Sequence, residues 1–165
     1  MSDALPTLGF IGLGIMGCPM AGHLARAGYP LIVYSRTKAK AEPLLAAGAT
    51  WCDSPAEVGR RCAVLITIVT DTPDVEAVLF GPQGAAQTLP REAVVIDMST
   101  ISPDATRDFA QRLGERDVTL LDAPVTGGDV GARNATLTIM VGGDPRAFER
   151  VRPILDKLGK RIVHV

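Results

Sequence analysis

Leu8-Gly9-Phe10-Ile11-Gly12-Leu13-Gly14-Ile15-Met16-Gly17 decides how the rest of this chain is read. A short apolar run enters Gly12-x-Gly14-x-x-Gly17 and passes straight into a helix-like stretch, the order that a dinucleotide-binding turn requires. Gly12 allows the chain to turn sharply out of a strand. Gly14 lets a pyrophosphate approach the backbone, and Gly17 lets the following helix pack closely on the strand. The start of that helix offers unpaired N–H groups and a partial positive charge to phosphates. Glycines also mark ordinary turns. The place of this set, after a strand and before a helix near the start of the chain, raises it above that reading.

Further strands are legible as short apolar runs without alternation, the pattern of strands buried on both faces. They are Leu8–Leu13, Leu31–Ser35, Ala49–Cys52, Ala63–Val69, Ala93–Met98, Thr119–Ala123, Leu137–Val141 and Arg161–Val165. Helical stretches lie between them. Ser54-Pro55, Thr72-Pro73, Ser102-Pro103 and Asp144-Pro145 each place an N-cap side chain before a proline at the first helical position. Glu57 completes a capping box with Ser54. The first helix spans about Ile15 to Ala27 and ends at Gly28, with Met16, Met20, Leu24 and Ala27 on the face toward the sheet. Pro43 means that the next helix either begins near Glu42 or kinks there. Alternating strands and helices with short connections predict a doubly wound, Rossmann-type α/β fold, a mostly parallel sheet in a single domain. In such sheets ligands sit beyond the carboxyl ends of the strands.

At 165 residues the chain suffices for one well-buried domain. Few aromatics (4%) and many aliphatics suit a Val/Ile/Leu-rich parallel sheet. A net charge of −1, with no basic stripe, gives no reason to expect nucleic acid or an acidic membrane as partner. No apolar run, Ala63–Ile66 included, is long enough to span a bilayer. The first residues lack the features of a signal peptide, so a cytoplasmic protein is expected. Cys18, Cys52 and Cys62 show no metal-ligand spacing and are read as reduced thiols. Cys18 lies in the first turn of the glycine-loop helix, where the dipole would lower its pKa, but a small packing residue is the simpler account. His23 and His164 are read as surface or packing residues.

A site for NAD usually carries Asp or Glu at the end of the second strand, bonded to the ribose hydroxyls. Here Ser35, Arg36, Thr37 and Lys38 stand there. No carboxylate at that point repels a 2′-phosphate, and a guanidinium is available to pair with one and to stack on adenine. The expected cofactor is therefore NADP(H) ahead of NAD(H).

Four motifs in order resemble the β-hydroxyacid dehydrogenases, the family of 3-hydroxyisobutyrate dehydrogenase and tartronate semialdehyde (2-hydroxy-3-oxopropionate) reductase, with 6-phosphogluconate dehydrogenase more distant. They are Gly9-Phe-Ile-Gly-Leu-Gly-Ile-Met-Gly-Cys-Pro-Met-Ala21, Val33-Tyr-Ser-Arg-Thr37, Asp97-Met-Ser-Thr100 and Asp122-Ala-Pro-Val-Thr-Gly-Gly128. The last motif argues against imine reductases, which share the glycine loop and the Arg-Thr pair. The resemblance implies that Gly12, Leu13, Gly14, Ile15, Met16 and Gly17 hold the pyrophosphate, and that Ser35, Arg36 and Thr37 hold the ribose and its 2′-phosphate. It places Val69 and Thr70 along the cofactor and Thr100 at its nicotinamide end. Thr126, Gly127 and Gly128 match the loop that grips a small substrate carboxylate, where a hydroxyl and two glycine N–H groups form an anion nest. Thr126 replaces the usual serine, Ser35 replaces a frequent Asn, and Asn134-Ala135 replaces an x-Gly pair, so different φ angles are expected at that turn. Arg133 is read as a solvated surface charge rather than a substrate ligand.

In this family a lysine on a helix after the last strand is the general acid/base, followed by an asparagine one turn on. No lysine here occupies that place, since Lys157 and Lys160 precede Arg161–Val165. The resemblance thus implies that residues 1–165 are a dinucleotide-binding domain, and that the family's C-terminal helical domain, with its dimer interface, lies outside them. The expected activity of the longer enzyme is hydride transfer between nicotinamide and a small 3-hydroxyacid or its semialdehyde, in a homo-oligomer. General acid/base catalysis is typically worth roughly 10²–10⁴-fold, so residues 1–165 alone are expected to bind cofactor without turnover. A non-catalytic dinucleotide-binding module is the alternative.

Overall fold

A computed structural model describes residues 4–165. Six parallel strands form the main sheet: β1 (Leu8–Ile11), β2 (Leu31–Tyr34), β3 (Thr50–Trp51), β4 (Val64–Thr67), β5 (Val94–Asp97) and β6 (Thr119–Asp122). Their spatial order is β3-β2-β1-β4-β5-β6, every neighbouring pair parallel. The order reverses between β1 and β4, the switch point at which doubly wound sheets bind ligands.

β1, β4 and β5 are buried at every position, so no polar alternation marks them in the sequence. Their successive side chains divide between two cores. Phe10, Ile66 and Ile96 face one side with Met20 and Leu24 of α1 (Gly17–Arg26). Ile11, Leu65 and Val95 face the other with Val58 of α3 (Pro55–Arg60), Leu79 of α4 (Thr72–Phe80) and Leu113 of α5 (Pro103–Gly114). α2 (Glu42–Ala46) begins at Glu42 with Pro43 in its first turn, after a 3₁₀ turn over Lys38–Ala41. Of the two outcomes open at Pro43, the later start is the one found.

Proline-marked helix starts hold at Ser54, Ser102 and Asp144, whose side chains accept from the N–H groups of Glu57, Ala105 and Ala147. At Thr72-Pro73 the cap lies one residue earlier: Asp71 accepts from Thr72 N at 2.7 Å. The Thr72 hydroxyl instead accepts from Ser102 N at 3.2 Å and ties the start of α4 to that of α5. Glu57 reaches back to Asp53 N rather than Ser54 N, one residue off a regular capping box.

The last part of the chain departs from the expected single sheet. β7 (Val125–Thr126), β8 (Leu137–Val141) and β9 (Gly159–His164) make a separate three-stranded sheet, with β7 antiparallel to β8 and β8 parallel to β9. β7 has no sequence counterpart among the expected strands, because two residues carry no period. An antiparallel bridge between Asp122 and Gly142 joins this sheet to the end of β6. Its inner residues Leu137, Ile139 and Val141 enter the same core as Phe10, beneath α6 (Gly128–Asn134) and α7 (Pro145–Leu155). Most expected strands shorten at their ends. β1 stops at Ile11 because Gly12 takes φ +107, and β3 keeps only two residues at the sheet edge. β9 starts earlier than expected, at Gly159. No helix among the described residues is long and apolar enough to cross a membrane.

Candidate functional site

The segments after β1, β2 and β4 converge over the switch point. With the first turn of α4 they line a cleft of about 450 Å3. Gly12, Leu13, Gly14, Ile15, Met16, Gly17, Ser35, Arg36, Thr37, Val69 and Thr70 all line it. Thr100, Thr126, Gly127 and Gly128 do not.

The three motif glycines are glycine for three different reasons. Gly12 has φ +107, and a Cβ there would overlap the carbonyl oxygen of Ile68. A Cβ on Gly17 would overlap the carbonyl oxygen of Gly12, which is how closely α1 approaches the strand. Gly14 is exposed, its φ lies outside the left-handed region, and a Cβ there would have nothing within 4 Å. The protein's own packing therefore does not call for glycine at position 14. Open space in front of its backbone is what the missing side chain leaves.

Behind this space stands the start of α1. Its N-cap, Met16, makes no side-chain cap, and no acidic residue sits in the first turn. α3, α4, α5 and α7 are all capped by side chains. In the first turn Cys18 N donates to the Gly14 carbonyl at 3.1 Å and Pro19 carries no N–H, so this end offers an occupant of the cleft the Gly17 N–H and the positive end of the helix dipole.

At the other end of the cleft, Arg36 and Thr37 are exposed and Ser35 is half-buried. Lys38 is turned away, with Nζ 5.7 Å from the centre of the Trp51 ring, while Lys40 lines the cleft. Arg36 does not stand alone. Its guanidinium forms an ion pair with Asp74 of α4, and Asp74 lines the cleft too. A carboxylate that the sequence does not place after the second strand arrives from the helix after the fourth.

A buried polar network fixes the floor beneath the loops after β4 and β5. Thr67 and Asp97 end neighbouring strands in register. The Thr67 hydroxyl donates to Asp97 Oδ1 at 2.9 Å, and Ser99 N donates to the same oxygen at 3.2 Å. Ser99 Oγ in turn accepts from Val69 N at 2.9 Å. Asp97 is only 2% exposed, and burial pushes its carboxyl above the usual range. The Ser99 and Thr67 donors pull it back down, and nearby Asp122 adds to the rise. This network holds Val69 at the cleft wall and orients the residue before Thr100.

Thr126 belongs to β7, opposite Thr138 of β8, and Gly127 and Gly128 open α6 with φ +126 and +62. All three are exposed. A Cβ on Gly127 would meet Leu137 at 3.3 Å, a tight contact, while one on Gly128 would meet nothing, so packing does not call for glycine at position 128. α6 packs against α1, and His23 of α1 bonds the Ala132 carbonyl oxygen at 2.9 Å while accepting from Arg26. The two helices that start at Gly17 and Gly128 are thereby tied together.

Cys18 behaves as a packing residue. Its thiol donates to the Lys40 carbonyl at 3.6 Å, and burial raises its pKa, opposite to a dipole-activated thiol. All three cysteines are free, and burial pushes Cys62 up to about 12. Arg133 pairs with Asp129 one turn away at 2.8 Å, and His164 stacks on Phe148. At the turn after Asn134, Ala135 takes the left-handed conformation, φ +54, without a glycine.

Sequence reasoning missed Asp74, Lys40 and the pair Thr67 and Asp97. The last two carry a signal, a polar residue closing an apolar run at each of two strands that prove to be neighbours. Asp74 carries none, since only the fold brings α4 beside the loop after β2.

The comparisons with known proteins agree with this geometry. The family described as the NAD binding domain of 6-phosphogluconate dehydrogenase matches residues 7–165. The 2-hydroxy-3-oxopropionate reductase of Escherichia coli is 48% identical over 158 residues, 96% of this chain and 54% of that protein. The chain thus spans about half the length of this curated relative. Among solved structures, the Mycobacterium tuberculosis 3-hydroxyisobutyrate dehydrogenase with L-serine superposes with a TM-score of 0.91 at 32% identity, over 97% of this chain and 54% of that one. An imine reductase from Myxococcus stipitatus in complex with NADP+ gives 0.87 at 26% identity, over 97% and 55%, and a variant of it is in complex with NAD+. Motif order, sheet order and a family match over nearly the whole length converge: the chain belongs to the family of the NAD binding domain of 6-phosphogluconate dehydrogenase, with hydroxyacid oxidoreductases among its relatives.

Proposed function

We propose that residues 1–165 are the dinucleotide-binding half of an oxidoreductase that acts on small 3-hydroxyacids or their semialdehydes, and that they hold NADP(H) ahead of NAD(H). The single observation that carries this reading is Gly14. A glycine that the fold does not need faces open space before an uncapped helix, as a site for a pyrophosphate requires. The bound nicotinamide would supply the hydride chemistry. In this assignment the Gly12–Gly17 backbone receives the pyrophosphate, and Ser35, Arg36 and Thr37 receive the adenosine ribose and its 2′-phosphate. Val69 and Thr70 line the cofactor, and Asp97 holds Val69 there through Ser99. Thr100 reaches the nicotinamide end, and Thr126, Gly127 and Gly128 bind the substrate carboxylate.

The 3-hydroxyacid assignment draws on the E. coli reductase and the M. tuberculosis dehydrogenase. NADP+ and NAD+ both occur in the neighbouring imine reductase structures, so preference between them rests on Arg36. We also propose that these residues alone bind cofactor without turnover, because the resemblance puts the family's acid/base lysine on a helix after the last strand. Calorimetric titration with NADP+ and NAD+ tests the reading. Tighter NADP+ binding that disappears in Arg36→Ala is expected, and equal affinities would overturn the preference. A steady-state assay of residues 1–165 giving turnover like that of the full-length relatives would overturn the inactivity.

A further inference from the structure

The ion pair between Arg36 and Asp74 closes one end of the cleft, and its two members are held very differently. Asp74 sits in the first turn of α4, its amide donating to the Asp71 carbonyl at 3.0 Å, and its side chain is 23% exposed. α4 is anchored by buried Val75 and Leu79. Arg36 leaves the loop after β2 with a side chain that is 75% exposed. The carboxylate is thus the fixed partner and the guanidinium the adjustable one.

The pairing changes what this end of the cleft offers. A guanidinium already neutralised by a carboxylate attracts a phosphate dianion less than a free one, and the carboxylate repels that dianion directly. The same carboxylate is an acceptor for hydroxyl donors, the role that an acidic residue after the second strand plays in NAD sites. Lys38 does not compensate, since its ammonium lies over Trp51, and Lys40, which lines the cleft, is the same in the parent and in any Asp74 variant.

We propose that Asp74 is a specificity-determining residue for the cofactor's ribose: it restrains Arg36, weakens binding of the 2′-phosphorylated dinucleotide, and supports the unphosphorylated one. This inference rests on the cleft being a dinucleotide site. Removing the Asp74 charge frees Arg36 and widens the preference for NADP.

The test is calorimetric titration of the parent chain, Asp74→Asn and Asp74→Ala with NADP+ and with NAD+, at low and at high salt. In both variants the ratio of NADP+ to NAD+ affinity rises by about tenfold, equivalent to about 1.4 kcal/mol. The gain shrinks as salt screens the exposed charges. An unchanged or lower ratio in the two variants, with the parent binding either dinucleotide, would overturn the role of Asp74 and leave the cleft assignment standing. A parent chain that binds neither dinucleotide would overturn the cleft assignment and this inference with it.

Discussion

The turns at Gly14 and at Ala135 are opposite cases. At Gly14 the backbone lies outside the left-handed region and a side chain would meet only open space, yet the residue is glycine. At Ala135, closing α6, the backbone takes φ +54, yet the residue carries a Cβ. In the first turn the missing side chain answers no packing need of the fold and leaves open space before the backbone. In the second, the fold tolerates a conformation that usually selects glycine. A glycine is therefore a functional signal where the fold does not require it, and conformational need alone does not secure one.

The comparison can be broken most decisively at Gly12. Gly12→Ala forces a Cβ into the Ile68 carbonyl at a positive φ, and a loss of at least about 3 kcal/mol is expected in urea unfolding. Gly127→Ala, also at positive φ but with its nearest neighbour at 3.3 Å, should cost less, about 2 kcal/mol. Similar losses at both would show that the overlap at Gly12 relaxes easily. Gly14→Val separates binding from folding. Unfolding free energy should stay within about 0.5 kcal/mol, the usual range for surface changes. Dinucleotide affinity should fall by about 100-fold, or about 2.7 kcal/mol. Unchanged affinity by titration would remove the reason given for this glycine.

Next in size is Asp97, whose network supports the cleft wall. Asp97→Ala strands the Ser99 amide and should cost about 2 kcal/mol. Asp97→Asn keeps an acceptor, sheds the buried charge and should be neutral or stabilising at pH 7. The pH dependence carries a sign. Burial raises this carboxyl in the folded state, so the folded protein binds its proton more tightly than the unfolded chain does. The contribution is complete below the unfolded carboxylate range and is lost as pH rises through the raised value. Asp97→Asn should remove that decline when unfolding is followed from pH 3 upward, and a slope shared by both proteins would assign the decline to other groups. The smallest effect is at the other turn. Ala135→Gly should stabilise by about 0.5–1 kcal/mol, since glycine adopts φ +54 without steric cost. A loss in thermal or urea unfolding would mean that the Ala135 methyl contributes packing that outweighs its strain.

Legibility in the sequence followed local physics. Gly12-x-Gly14-x-x-Gly17, the apolar runs of β1, β4 and β5, and the Ser-Pro and Asp-Pro helix starts each report on a few consecutive residues. Those readings held to within a residue or two. Thr72-Pro73 slipped by one because Asp71, just before it, supplied a better cap. The three-stranded sheet escaped because β7 is two residues long and pairs across sequence-distant partners.

The sequence by itself determined the α/β architecture, the glycine turn and the absence of a carboxylate after the second strand, because chain stiffness, side-chain volume and burial periodicity are local properties. Only the tertiary structure decided that Arg36 meets Asp74, that Thr67 meets Asp97, and that Gly14 faces nothing. Each depends on which strands and helices lie side by side, and adjacency between segments 30 to 38 residues apart is set by the packed sheet.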